Sequence, residues 1–300
     1  MKYIKSILAL FLCLSLFTAC NTNKSEAPDT VKIKPSSVSG TYVCDMTNDG
    51  ILGLGVLEKD WWIGGSTTTI NSKAPKTLSI EFENNLYNCE YKDSSRSVLG
   101  RTIDHYFSDN DIEISVDSID QTVLSFHKGV LTYEFLMKDL TDPHKEAMEI
   151  AKKYASKYID ISEYSLEENK PYSYSDLIDG EEVKISLYTF KFIKYVDTYP
   201  TPDRVWVQIT SKGTLRTLSV DNIGAFDNVD LSNLDSREVE NSIDKKIREI
   251  YSNKVTLHSY AVEKNTLTYS PEGDLIIVSD VILNIDNGRK TGVLLATVIS

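Results

Sequence analysis

The sequence predicts an α+β fold that is mainly antiparallel β, with an all-β N-terminal part followed by two units in which a helix precedes antiparallel strands. Three observations predict it. From Gly40 to Met137, short alternating or β-branched segments are separated by turn residues, and no long 3.6-residue period occurs. Two later segments have that helical period, and each is followed by alternating strands. The 17 tyrosines also suit half-buried strand positions.

The first twenty residues have the order of features that is typical of an exported precursor. Lys2 and Lys5 precede an apolar run, Ser6 to Phe17, which is shorter than the roughly 20 residues of a membrane-spanning helix. The run ends in Phe17-Thr18-Ala19-Cys20, which resembles the lipobox of bacterial lipoproteins, with Phe17 in place of the usual aliphatic residue. The resemblance implies a signal peptide at residues 1–19 and acylation of Cys20, by palmitate or a similar chain. The alternatives are an ordinary secretory signal with a chance cysteine and an uncleaved membrane anchor.

Acylation at Cys20 would anchor the protein to the extracytoplasmic face of a cell membrane, so the lipid bilayer is its first expected partner. Each buried methylene contributes about 0.8 kcal/mol, and two or three chains therefore make the anchor effectively permanent. Residues 20–39 then form a lipidated flexible tether, because they are polar and include two prolines. A tether of this length has a root-mean-square reach of about 25 Å.

Residues 40–138 are predicted to form an all-β domain. Turn signals such as Asn48-Asp49-Gly50 and Asn84-Asn85 separate its strands. The expected strands are Gly40–Met46, Gly53–Leu57, Thr67–Ile70, Leu78–Phe82, Leu86–Tyr91, Asp111–Val116, Thr122–His127 and Leu131–Met137.

Residues 139–300 are predicted to form an α+β domain with two helix–strand repeats. The first helix begins after Asp142, a favourable N-cap, with Pro143 at its first position, where a missing N–H costs nothing. Residues 162–182 are expected to be a polar, acidic connection. Strands then resume at Ile185–Tyr195 and continue in a hairpin of residues 204–220.

The second helix is expected at Ser236–Ser252. Asp235 at the N-cap and Glu238 three residues later form a capping-box pattern. A stripe of apolar residues follows at helical spacing, which predicts the buried face. Its members are Val239, Ile243, Ile247, Ile250 and Tyr251. Three strands complete the unit, at Thr256–Tyr269, Asp274–Ile285 and Thr291–Ile299.

Helices such as DPHKEAMEIAKKYASKY followed by paired strands with a Gly-containing turn give residues 76–300 a resemblance to the PepSY-like lipoproteins of low-GC Gram-positive bacteria. The resemblance rests on this pattern and assigns no functional residue. It implies small helix-on-sheet repeats that modulate extracellular peptidases or bind cell-surface partners, without catalysis.

The chain is acidic, with a net charge of −12 at pH 7. Removal of residues 1–19 deletes two lysines and no acidic residue, which brings the charge to −14. Such a surface repels phosphate, so nucleic acid is not expected as a partner. It also repels anionic head groups, so the affinity for membranes depends on the acyl anchor.

Two of the four cysteines remain for the folded body, because Cys13 leaves with the leader and Cys20 carries lipid. Cys44 and Cys89 both lie in expected strands outside the cytoplasm, where a disulfide is plausible. The bond would close a loop of about 45 residues and contribute about 3–4 kcal/mol. Two buried thiols are the alternative.

No catalytic residue, metal ligand or cofactor is expected. The histidines, at positions 105, 127, 144 and 258, form neither an HExxH motif nor a zinc-type cluster with cysteine. Ser108-Asp109-Asn110 and Lys290-Thr291-Gly292 match two β-lactamase motifs. Two segments, at residues 125–128 and 242–245, match the third motif, SxxK. Both follow the SDN segment, whereas the nucleophile should precede it, so the matches are attributed to chance.

Trp61 and Trp62, beside Gly64-Gly65, are the most unusual local feature. Neighbouring residues of an extended chain face opposite sides, so one indole would be exposed and could contact a sugar or a protein partner. Packing of both rings under a loop is the alternative.

These features predict a membrane-anchored, non-enzymatic binding or interaction module with a protein or cell-wall partner, and modulation of an extracellular peptidase is one such role. One alternative is an envelope hydrolase whose site is assembled from dispersed residues, with His105 or His258 near a carboxylate and a hydroxyl. Another is an envelope or spore assembly factor, for which a broad exposed apolar patch would be the sign.

Overall fold

The structure, a computed structural model, describes residues 32–47, 58–59, 73–97, 100–108, 112–129, 132–178, 181–251, 256–285 and 289–300. Its strands are β1 Val38–Thr47, β2 Thr77–Phe82, β3 Asn85–Arg96, β4 Thr102–Ser108, β5 Ile112–Asp117, β6 Val123–Lys128, β7 Tyr164–Ile178, β8 Glu181–Val196, β9 Tyr199–Thr210, β10 Leu215–Asp221, β11 Leu257–Tyr269, β12 Leu275–Ile285 and β13 Arg289–Ile299. Its helices are α1 Thr132–Phe135, α2 Pro143–Ala155 and α3 Ser236–Tyr251, with one 3₁₀ turn at Ile161–Glu163. No helix of the described segments is long and apolar enough to cross a membrane.

Nine strands form one antiparallel sheet in the order β2-β3-β4-β5-β6-β10-β9-β8-β7. Strands β2 to β6 follow each other as a meander, and β10 to β7 run back in reverse order. The pairing of β6 with β10 joins the two series, with Leu218 opposite Phe126. Strands β2 and β7 are therefore the edges of this sheet.

Helix α2 covers one face of the nine-stranded sheet. Asp142 caps it by accepting a hydrogen bond from the Lys145 amide at 3.3 Å, and Pro143 is its first residue, as the sequence predicts. The small side chains of Ala147 and Ala151 are fully buried, so the helix axis lies close to β8 and β9. The buried cluster beneath α2 also includes Tyr106, Ile114, Phe126, Phe190, Val207 and Leu218.

Two polar side-chain contacts also hold the C-terminal end of α2 against the turn between β2 and β3. Tyr154 donates a hydrogen bond to Glu83 at 2.9 Å, and Lys157 forms an ion pair with the same carboxylate at 2.6 Å. Burial acts to raise the pKa of Glu83, but the hydrogen bonds from Lys157 and Tyr154 outweigh it and lower that pKa. The carboxylate is therefore ionised and paired at neutral pH.

The other four strands form a second antiparallel sheet in the order β1-β13-β12-β11. Helix α3 packs on one of its faces and buries Val239, Ile243, Ile247 and Tyr251, four of the five predicted stripe residues. Ile250, the fifth, is only partly buried. The segment before α3 extends the same hydrophobic cluster through Phe226, Val229 and Leu231.

The predicted fold class is wrong. Of the residues that the structure describes, 57% lie in strands, mostly antiparallel, and 16% in helices, and they do not form two helix-plus-strand units. The strands after α2 pair with β6 of the N-terminal meander, and the strands after α3 pair with β1. Each helix therefore covers a sheet that is built from distant parts of the chain. Both pairings also connect strands before residue 138 with strands after it, across the predicted boundary between the two domains.

Two local predictions are also corrected. The expected connection at residues 162–182 is largely the edge strand β7, whose tyrosines, serines and charged residues are mostly exposed. A strand with only one neighbour has no need of a regular apolar face, so its sequence resembles that of a loop. The expected strand Leu131–Met137 contains the short helix α1 instead.

Candidate functional site

A cleft of about 540 Å³ lies between the β8–β9 turn, the first turn of α3 and β11. It adjoins a second cavity of about 280 Å³ that lies deeper against α3 and shares four residues with it. Together they are called the tyrosine cleft. Its lining is Tyr195, Thr198, Tyr199, Pro200, Ser236, Val239, Glu240, Ile243, Tyr260, Val262, Lys264 and Asn265.

A tight turn places the first side of the cleft. Residues 197 and 198 join β8 to β9, with Val196 paired to Tyr199 and Tyr195 paired to Pro200. Asp197 has φ +54°, a left-handed conformation that aspartate tolerates better than most residues. The turn belongs to the nine-stranded sheet, whereas α3 and β11 belong to the four-stranded side. The cleft therefore lies where the two sheets meet.

Helix α3 supplies the floor and one acidic group. Asp235 accepts a hydrogen bond from the Arg237 amide at 2.9 Å, which fixes the start of the helix as the capping pattern predicts. Ser236 and Glu240 lie one turn apart on the cleft side, and the buried residues Val239 and Ile243 form the apolar base.

Strand β11 forms the opposite side and is an edge of the four-stranded sheet. Tyr260 donates a hydrogen bond to Asp244 of α3 at 3.0 Å, and Asp244 also forms an ion pair with Arg248 at 2.7 Å. Asn265 accepts a hydrogen bond from Ser279 at 2.7 Å, which holds its amide in place. The residues from 258 to 264 are mostly exposed, and β11 also contacts β9 of the nine-stranded sheet.

The tyrosines of the cleft are neutral hydrogen-bonding groups at pH 7. Burial, helped by the charges of Asp197 and Glu240, raises the pKa of Tyr199. Burial and the hydrogen bond to Asp244 raise the pKa of Tyr260. Each ring therefore offers an apolar face and a protonated hydroxyl.

The cleft contains one acid and one base, neither of which is paired. Within the described part of the chain, Glu240 and Lys264 make no ion pair, so both can meet a charged group of a ligand. The lining includes Ser236 but no histidine or cysteine. The arrangement suits binding of a chain with mixed apolar and charged groups.

Several predicted site residues lie elsewhere. Cys20, Trp61 and Trp62 fall outside the described residues. Cys44 and Cys89 are buried thiols in the structure, which is the alternative given for the predicted disulfide. Cys44 lies on the face of the four-stranded sheet opposite α3, whereas Cys89 lies under α2 in the nine-stranded sheet, and the two belong to different hydrophobic clusters.

The histidines do not meet in a metal or catalytic cluster. No group of three or more His, Cys, Asp or Glu residues within the described ranges could hold a metal ion. His105 has Ser95 and Ser115 hydroxyls 2.8 Å from its two ring nitrogens, and burial lowers its pKa. Its neighbour Asp104 faces the other side of the sheet and accepts from Ser94 at 2.5 Å. His105 is thus held by two hydroxyls and not by a carboxylate.

The remaining histidines are at the surface. Nε2 of His144 lies 2.6 Å from a carboxylate oxygen of Glu168 at the surface, and Glu146 completes the cap of α2 by accepting from the Asp142 amide at 2.8 Å. His258 is exposed on β11, outside the cleft lining.

Comparison with known proteins gave no relative. No protein-family model, no curated protein and no solved structure matches the chain.

Proposed function

We propose that this protein is a lipid-anchored, extracytoplasmic binding protein that holds an extended polypeptide segment of a partner protein in the tyrosine cleft. One observation carries the proposal: a large concave site with aromatic walls lies directly beside the edge strand β11. Concave sites with an apolar lining and a few fixed polar groups are the usual places for ligand binding.

The edge strand argues for a polypeptide ligand. An extended segment that pairs with β11 would gain main-chain hydrogen bonds, and its alternate side chains would point into the cleft. Tyr199 and Tyr260 offer ring faces for apolar side chains, since tyrosine buries a large area with few rotatable bonds. Glu240 offers a carboxylate for a basic side chain of the ligand.

The leader supports the location. Its charged start, short apolar core and Thr18-Ala19-Cys20 end agree with lipid attachment at Cys20. Cys20→Ser should abolish acylation and release the protein from the detergent phase into the aqueous phase. Unchanged partitioning of that variant would contradict the anchor.

Selection of peptides from a random library on the full-length protein in detergent tests the cleft. We expect selected peptides to bind the parent, and Tyr199→Ala to weaken binding about tenfold or more, because an aromatic anchor contributes more than about 1.4 kcal/mol. Glu240→Gln should weaken peptides with a basic residue and leave the others unchanged.

The matched control is Glu249→Gln, which removes the same charge from the exposed side of α3. Equal binding by the parent, Tyr199→Ala and Glu240→Gln would contradict the proposal. Peptides that no longer bind after Trp61→Ala and Trp62→Ala, yet still bind Tyr199→Ala, would move the site to the tryptophan pair.

A further inference from the structure

The face of the nine-stranded sheet opposite α2 carries a polar cluster that has no role in the tyrosine cleft. Side chains alternate along a strand. The residues next to the buried Val207 and Ile209 of β9 and Leu218 of β10 therefore point to this outer face. The cluster is centred on Arg216 and is called the Arg216 cluster. Its members are His127 of β6, Tyr172 and Tyr174 of β7, Thr189 of β8, Gln208 of β9, and Arg216 and Thr217 of β10.

A directed chain of hydrogen bonds orders this cluster. The Thr217 hydroxyl donates a hydrogen bond to the side-chain amide oxygen of Gln208 at 3.1 Å. The oxygen of the same hydroxyl therefore accepts a hydrogen bond from Nδ1 of His127 at 2.9 Å. The Gln208 amide nitrogen donates to Thr189 at 3.1 Å and to the Tyr172 hydroxyl at 3.2 Å. Burial and the positive charge of Arg216 lower the pKa of His127, which keeps the ring neutral at pH 7. The amide and hydroxyl groups thus use each other as partners.

Arg216 takes no part in this series of hydrogen bonds. Its side chain is only 9% exposed, and its Nη1 is buried without a hydrogen-bond partner. No carboxylate among the residues that the structure describes forms an ion pair with it, and its closest aromatic contact is the ring of Tyr174, 5.8 Å from Cζ. Arg216 lies at an irregular point of the β9–β10 pairing, between Leu215 and Thr217.

A buried guanidinium without an acid is costly, since a charge taken out of water needs an opposite charge and acceptors for its N–H groups. Proteins pair or hydrogen-bond nearly all such groups. The indole Nε1 of Trp206, two residues before Gln208 on the same face, is also buried without a partner. This part of the sheet therefore has N–H groups without hydrogen-bond acceptors, and a ligand that binds here must supply the acceptor atoms.

The rings beside Arg216 restrict the ligand further. Tyr172 and Tyr174 contact each other edge to face at 5.6 Å, and they are 44% and 40% exposed. The two rings form an exposed aromatic surface next to the buried side chain of Arg216. Aromatic faces beside hydrogen-bonding groups suit a sugar ring, whose C–H face lies on the aromatic ring while its hydroxyls reach polar neighbours.

We propose that the Arg216 cluster is a binding site for an acidic sugar, whose carboxylate pairs with the Arg216 guanidinium and whose ring lies on Tyr172 and Tyr174. The carboxylate supplies two acceptors in the planar arrangement that guanidinium binds best. This site is separate from the tyrosine cleft and does not depend on the function proposed for that cleft.

Calorimetric titration of the full-length protein in detergent tests the assignment with three probes: trigalacturonate, neutral maltotriose and acetate. We expect trigalacturonate to bind and maltotriose not to bind. Acetate should bind more weakly than trigalacturonate, because it lacks the ring. Arg216→Gln should weaken trigalacturonate about 30-fold, the loss expected for a charge-assisted pair. Arg248→Gln, which removes an exposed arginine from α3, is the matched control and should bind like the parent.

Three results would overturn the proposal: no heat with trigalacturonate, equal affinity of the parent and Arg216→Gln, or equal affinity for trigalacturonate and acetate. Tyr174→Ala keeps the guanidinium and should weaken trigalacturonate while leaving acetate unchanged, which tests the ring contact without loss of the charge. Arg216→Met tests the buried cation itself. It should raise the melting temperature of the ligand-free protein, and trigalacturonate should then stabilise the parent but not this variant.

Discussion

Replacement of Ile247 by alanine tests whether α3 and the four-stranded sheet share one packed core. Ile247 is fully buried in the cluster that α3 forms with β11, β12 and β13. The change removes three carbon atoms, and burial of each contributes about 0.8 kcal/mol. The cavity that remains adds a further penalty, because the surrounding sheet relaxes only in part. We therefore expect the free energy of unfolding to fall by about 3–4 kcal/mol.

Urea unfolding followed by circular dichroism measures this loss from the shift of the transition midpoint at constant slope. The matched control is Lys245→Ala, two residues away on the exposed side of α3, which should change the free energy by less than about 0.5 kcal/mol. A loss below about 1 kcal/mol for Ile247→Ala would refute the packing of α3 on the sheet. An equal loss for both variants would show that burial of Ile247 is not the cause, since alanine has the highest helix propensity and neither change weakens the helix in that way.

Three other predictions follow from the turns and from the ionisable groups. Gly213→Ala should cost more stability than Gly273→Ala, by about 1 kcal/mol in thermal unfolding, since both residues have positive φ but only the new Cβ at 213 would meet Leu140, at 3.1 Å. Burial raises the pKa of Asp203, so that group favours folding most at low pH and less as pH rises through the raised pKa; relative to the parent, Asp203→Asn should gain stability between about pH 4 and pH 7 in urea titrations. The pKa of Glu83 is lowered, so its contribution is present at neutral pH and lost on acidification; the deficit of Glu83→Gln should shrink as pH falls below about 4, and a pH-independent deficit would contradict the ionised pair.

The two long helices, α2 and α3, could be predicted because their signals are local. Asp142 and Pro143 start α2, and Asp235 and Glu238 mark the start of α3, within one or two turns of sequence. The apolar stripe of α3 has a period that depends only on helix geometry. The three final strands were equally clear, since their alternation and their turns lie within the same short stretches.

The sheet order could not be predicted, because pairing of strands depends on distant residues that no local pattern identifies. β6 pairs with β10 across two helices and three strands, and β1 pairs with β13. Two prolines, at positions 200 and 202, lie within β9, although proline is rare inside strands. Proline is tolerated there because that end of the strand lies beyond its pairing with β10, which begins at Arg204.

The candidate sites were missed for the same reason. The tyrosine cleft takes its walls from β8, β9, α3 and β11, and tyrosines at these positions look like ordinary strand residues. Arg216 had a possible signal, since an arginine within the apolar strand Leu215–Asp221 is unusual. Its burial, and the absence of an acidic partner among the described residues, could be recognised only once β7 and β9 were placed beside it.

The pairing of β1 with β13 has a consequence for export. Ser37 and Ser300, 263 residues apart, are hydrogen-bonded where these two strands meet. A chain that is exported from its amino terminus, as we propose, delivers β1 first and β13 much later, so the four-stranded sheet stays open at that place until β13 has crossed the membrane. During this interval the emerging polypeptide has an unpaired strand that other unfolded chains could join. Chaperones that shield nascent β1 would therefore raise the yield of native protein more than those that act on the meander of β2 to β6, in which neighbouring strands follow each other along the chain.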